Sequence, residues 1–210
     1  EDNFIGLEEY VVQEGMAKRI VPFKADGLTQ FRINEERMWK NFMETPAGYS
    51  KTPQDGYFFK NFQNPDIFFN QVETNAVQSY RTQYLQFAYE YVNRGDKAKT
   101  NQVLDRMEAL FPKNIIPYDY RILYDVSMQY LKADNIAKFN ELSPLVEKEA
   151  IDAMNKNPND IQSYWNPYKL LLDIYEARND YAKALDILYK LDRLSPNNPE
   201  VKNKIENMKQ

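Results

Sequence analysis

The chain is 210 residues long, 43% hydrophobic and 28% charged, with a net charge of −4. That composition suits a globular protein with its own core and excludes a disordered chain, while mild, interspersed charge leaves no electrostatic footprint for nucleic acid. Cysteine and histidine are both absent, which removes disulfides, thiolate and imidazole metal sites, cysteine nucleophiles and the general base nearest neutral pH.

No metal or other cofactor is expected. No apolar run approaches the roughly 20 residues that a bilayer-spanning helix needs. The chain opens Glu1-Asp2-Asn3-Phe4 without a methionine, so a mature or cut fragment is expected, with any targeting or membrane segment upstream.

Residues 1–30 carry no helical periodicity. Phe4 to Val12 is apolar-rich, Gln13-Glu14-Gly15 breaks it, and Ala17 to Phe23 predicts a short strand or extended segment. Ile20 and Val21 favour extended backbone, and Pro22 pushes Val21 away from the helical region. Ala25-Asp26-Gly27 predicts a turn. Asn34 is a plausible N-cap for a helix over Glu35 to Met43, whose first-turn acids suit the macrodipole. Thr45 to Pro65 is rich in Pro, Gly and Asn and predicts an ordered, irregular loop. Its Tyr57, Phe58, Phe59 and Phe62 either tuck it onto the helices or, over 49–62, line a pocket.

Beyond the loop the apolar spacing is helical. One helix is predicted from Asp66 to Asn93, ended by Gly95, and a second carries Val103, Leu104, Met107, Leu110 and Phe111 before Pro112. From Tyr118 a helix carries Leu123, Val126 and Tyr130; after Ala133-Asp134-Asn135 its partner carries Phe139, Leu142, Val146, Ala150 and Ala153. Tyr168, Leu171, Leu172 and Tyr175, then Ala184, Ile187, Leu188 and Leu191, make the third pair. Pro199 to Gln210 predicts a polar capping helix with Val201, Ile205 and Met208 inward. Tyr91 to Pro112 and Tyr175 to Pro196 both span 21 residues, but Tyr130 to Pro158 spans 28. The excess predicts an overlong helix by about two turns, with Pro144 either kinking it or opening a new segment.

Tyr175, Ala184 and Pro196 resemble the aromatic, small residue and closing proline of a tetratricopeptide repeat. The expected fold is mainly α: three tetratricopeptide-like hairpins in a short right-handed solenoid, preceded by a small irregular or short-strand N-terminal segment. Residues 1–65 would form that segment, with one helix packed on the repeats; 66–210 would form the repeats and cap.

Gly6, Leu7, Tyr10, Glu14, Gly15, Ala17, Arg19, Val21 and Pro22 resemble a motif preceding a helical-repeat tail in a bacterial membrane-protein family, the domain-of-unknown-function 2723 family. Its eukaryotic relatives are transmembrane protein O-mannosyltransferases. The likeness runs on through Asp26-Gly27, Glu35 to Phe42 and Val103 to Tyr120. It implies an extracytoplasmic, periplasm-facing tail of a multi-pass membrane protein, whose sugar-transfer chemistry would belong to the membrane part.

In this repeat type side chains at fixed positions of each first helix face a concave groove. Register with Tyr91, Tyr130 and Tyr175 assigns Leu85, Tyr89 and Asn93; Arg121, Tyr124 and Met128; and Lys169, Asp173 and Glu176. Tyr, Arg and Asn suit peptide or glycan contacts. The expected partner is the protein's own membrane part or another protein or peptide. Glu14 and Arg19 form the best polar pair of the opening motif, expected to tie the strand to the repeats. No catalytic residue is assigned. The competing expectation is a carbohydrate-binding protein or glycan-processing enzyme that uses the aromatic loop.

Overall fold

The computed structural model describes residues 5–24 and 32–209; the turn expected at Ala25–Gly27 lies outside them. The chain is mainly helical, with eight α-helices and one two-stranded antiparallel sheet among the described residues. After a single 3-10 turn at Glu8–Tyr10, β1 (Val11–Gln13) pairs with β2 (Lys18–Ile20), Val11 opposite Ile20.

Gly15 makes the turn between the strands at φ +96°, in the left-handed region. Its N–H points at Met38 Sδ (2.8 Å), and the next N–H, of Met16, donates to the Tyr57 hydroxyl at 2.6 Å. A Cβ at position 15 would overlap that hydroxyl. Gly15→Ala is therefore expected to cost about 2 kcal/mol or more, from overlap and left-handed strain together. Urea denaturation checks this, and unchanged stability would show that the turn is not locked in this way.

α1 (Glu35–Met43) forms where predicted, with the Asn34 side chain accepting from the Arg37 N–H. The chain then runs without regular structure to Asn70. Tyr57, Phe59 and Phe62 pack against the core, with Phe59 edge-on to Tyr80 and Phe111 at 4.9 and 5.0 Å between ring centres. Phe58 stays exposed.

α2 (Gln71–Asn93) begins later than the expected start at Asp66. Asn70 and Glu73 form a reciprocal capping box there, which leaves Asp66 to Phe69 outside the helix. α3 (Lys97–Leu110) and α4 (Tyr120–Lys132) follow, the latter capped by Asp119 and so starting past Tyr118. α5 (Ile136–Lys156) is 21 residues long against 14 for α3, the predicted excess. It passes through Pro144 without a break. That proline lies on an exposed face, where water can serve the carbonyl its missing N–H leaves unpaired. α6 (Pro167–Ala177), α7 (Tyr181–Leu194) and α8 (Pro199–Met208) complete the chain.

The pairs α2–α3, α4–α5 and α6–α7 share one local design. Each turn has a left-handed residue (Gly95, Asp134, Asn179) followed by an N-cap (Asp96, Asn135, Asp180). That cap accepts from the backbone N–H of a lysine: Lys99, Lys138 or Lys183. The lysine, and a tyrosine from the end of the first helix, then grip a carboxylate on an earlier helix. Tyr91 and Lys99 hold Glu35 of α1, both at 3.0 Å. Tyr130 and Lys138 hold Glu108 of α3 at 3.2 and 2.7 Å. Tyr175 and Lys183 hold Glu147 of α5 at 3.0 and 2.9 Å. Each ammonium also lies 4.9–6.0 Å from its tyrosine ring centre. Sequence neighbours thereby become stacked neighbours.

Apolar packing falls into two clusters. Met38 and Phe42 of α1 share the first with α2 to α4, Phe111, Leu142 and Val146 of α5 and Ile174 of α6. The end of α5 (Ala150, Met154) joins α6, α7 and α8 in the second, where Ile205 of α8 closes the end.

Candidate functional site

A cleft of about 760 Å³ lies between α2 and α4. Gln78, Thr82, Leu85 and Tyr89 recur at helical spacing along one wall, and Arg121, Ile122, Asp125 and Gln129 along the other. α4 packs on α2, and Trp165 from the linker before α6 joins the lining.

Polar groups in the cleft differ in how well they are matched. Arg121 gives Asp119 two hydrogen bonds of 2.9 Å, and Asp119 also caps α4 through the Arg121 N–H. The guanidinium holds the Asp119 carboxyl below its ordinary range. Glu90 is buried with Arg94 at 3.8 Å. Asp125 has no hydrogen-bonding or ion-pairing side chain among the described residues. Burial pushes its carboxyl up to about 7, although Lys132 and Lys169 pull the other way. Gln129, 8% exposed, donates to the Leu85 carbonyl at 3.1 Å, while its own side-chain oxygen finds no donor. Among the described residues no group of three or more acidic side chains is placed to hold a metal ion.

Of the expected groove residues, Leu85, Tyr89 and Arg121 line this cleft. Asn93 is exposed and Met128 half-buried, and neither is part of the lining. Tyr124 lies alongside, its hydroxyl donating to Asp173 at 2.6 Å and its ring edge-on to Trp165. Lys169 sits 4.4 Å from the Tyr164 ring, and Glu176 pairs with Lys204. Leu85, Tyr89 and Arg121 of the first two hairpins share the cleft, while Tyr124 and Asp173 meet between α4 and α6 beside it. α6 packs chiefly against α5 and α7.

In the opening motif, Arg19 and Glu14 pair at 2.7 Å as expected, but the bridge closes the β1–β2 hairpin on itself. Glu14 also accepts from Asn34 at 3.0 Å, so it joins the hairpin to the cap of α1 and not to the repeats. Gly6 has φ +83° in open space, and Pro22 is exposed. The rings of Tyr57, Phe59 and Phe62 point into the core and do not line the cleft.

Glu90, Asp125 and Gln129 are not legible as site residues from sequence. A charged or amide residue beside a helix's apolar stripe reads as solvated, and the meeting of α2 with α4 buries Glu90 and Gln129 and half-buries Asp125. Among the described residues no helix is long and apolar enough to cross a membrane. Compared with protein-family models, with curated proteins and with solved structures, the chain matches none.

Proposed function

We propose that the chain is a non-catalytic interaction module of tetratricopeptide type. In this reading α2–α3, α4–α5 and α6–α7 are the three repeats, α8 is the cap, and the α2–α4 cleft binds an extended segment of a partner protein. The observation that carries it is the cleft itself, which forms where the first helices of successive hairpins meet and is lined by Leu85, Tyr89 and Arg121. An exposed tyrosine beside buried acceptors suits a peptide, whose side chains and amides need both apolar surface and polar partners. Without histidine or cysteine, nucleophilic and general-base chemistry would have few candidates.

The likeness of the opening segment to the 2723 membrane-protein family supports placing the module on the periplasmic side of a membrane. There it would scaffold or regulate a glycosyltransferase-like domain. In that setting the bound segment is a loop of the membrane part or of a partner. The coding sequence upstream of Glu1 tests the placement: several apolar runs of about 20 residues support it, and their absence removes it.

Peptide-display selection against the intact chain, repeated on the Tyr89→Ala/Arg121→Glu variant, tests the cleft. Enriched peptides are expected to lose at least about tenfold in affinity on the variant. Equal binding to both would exclude the cleft as the docking surface.

A further inference from the structure

Two acceptors on the α4 wall of the cleft have no donor among the described residues, Asp125 and Gln129. Arg121 is consumed by Asp119, and Arg94 stands beside Glu90. Among the described residues the half-buried Asp125 has no hydrogen-bonding partner, and the nine-tenths-buried Gln129 keeps an unsatisfied carbonyl oxygen one helical turn further along the same wall. Buried polar atoms are nearly always matched, so an unmatched acceptor in a ligand-sized cleft asks for a donor from outside. Tyr89 and Trp165 supply aromatic surface at the same cleft, which suits the alkyl stem and the charge of a cationic side chain.

We propose that the cleft receives a lysine or arginine side chain of the bound segment, with the Asp125 carboxylate as counter-ion and the Gln129 side-chain oxygen as second acceptor. This rests on the reading of the cleft as a peptide site and names the chemistry of its occupant. The charged and titratable groups around Asp125 are Lys132 on its own helix, Lys169 on α6, Glu90 on α2, Tyr124 beside it, and the Arg121–Asp119 pair at the start of α4. Neither lysine comes within ion-pairing distance of it, and both weaken rather than replace the call for a cation. The raised carboxyl makes occupancy depend on pH. A cation binds the ionised form, so affinity rises as pH increases through about 7, and binding releases a proton.

The test titrates the isotope-labelled chain with N-acetyl-lysine N-methylamide and with its norleucine and glutamate counterparts, followed by NMR shift mapping. The lysine compound is expected to shift amides of residues 85–90 and 121–129, with about tenfold tighter binding at pH 8 than at pH 6, because the Asp125 carboxylate ionises across that range while the lysine ammonium stays charged. Asp125→Asn is expected to abolish the pH dependence and to weaken binding at pH 8 about tenfold. Norleucine binding the same residues as tightly as lysine would overturn the cation assignment while leaving the peptide reading intact. Tighter binding of the glutamate compound would overturn it as well. No shifts at the cleft with any of the three would overturn it too, and display selection would then decide the peptide reading separately.

Discussion

Arg81→Met is expected to lower folding stability by about 3 kcal/mol or more, the largest effect of any single substitution considered for this chain. Arg81 is fully buried on α2 and, among the described residues, has no carboxylate partner. Its guanidinium donates instead to three backbone carbonyls of the segment between α3 and α4: Phe111 at 2.8 Å, Ile116 at 2.6 Å and Pro117 at 3.0 Å. The Tyr118 ring lies 3.7 Å from the guanidinium carbon. Burial pushes the arginine's affinity for its proton down, yet the planar fork stays charged and is shaped to reach several acceptors at once. Methionine fills much of the same volume but takes the arginine's donors from the buried Phe111 and Ile116 carbonyls, while Pro117 keeps its bond from Gln78. Lysine offers one point of charge, and Arg81→Lys is expected to cost about 2 kcal/mol. Urea denaturation followed by circular dichroism measures both; an unchanged midpoint for Arg81→Met would show that the segment holds its place without the arginine.

Glu147→Gln is expected to rank second, at about 2 kcal/mol, by leaving two cations without their shared counter-charge. Glu147 accepts from Tyr175, from Arg178 at 2.5 Å and from Lys183, and so joins α5 to the third hairpin. Arg178 would keep only the Ser143 hydroxyl. The same carboxylate carries a pH signature. Burial raises the pKa of Glu147, but hydrogen bonds from Lys183, Arg178 and Tyr175 more than offset it, and the net direction is down. Glu35 is shaped by the same contest and is lowered from 4.5 to about 2. A carboxylate depressed in the folded state stabilises above its ordinary pKa and loses that contribution as pH falls through the folded value. Stability is therefore expected to decline from about pH 4.5 towards pH 2, less steeply in Glu147→Gln than in the unsubstituted chain. Parallel acid profiles for the two would show that Glu147 is not a clamp point.

Much of the helical layout is legible in the sequence because caps and turns carry local chemistry. Asn34, Asp96, Asn135 and Asp180 announce helix starts, and the greater distance from Tyr130 to Pro158 announces the length of α5. The late start of α2 was also written locally, in the Asn70–Glu73 box, but Pro65 gave an earlier and competing signal. The register of Tyr91, Tyr130 and Tyr175 leads to Leu85, Tyr89 and Arg121 in the cleft. At α6 it leads to Asp173, which meets Tyr124 of α4 beside the cleft and does not line it. Arg81 and Asp125 stay illegible for a different reason. Each is a charged residue in the middle of a helix, and its surroundings come from segments distant in sequence: residues 111–118 for Arg81, and the α2 wall of the cleft with Lys169 of α6 for Asp125.

Hydrogen exchange of the intact chain, with and without a peptide selected on it, tests the working surface most directly. The account predicts slowed exchange concentrated in residues 85–90 of α2 and 121–129 of α4, with α7 and α8 unchanged. Protection centred on α7 and α8, or on the loop at 49–62, would contradict it.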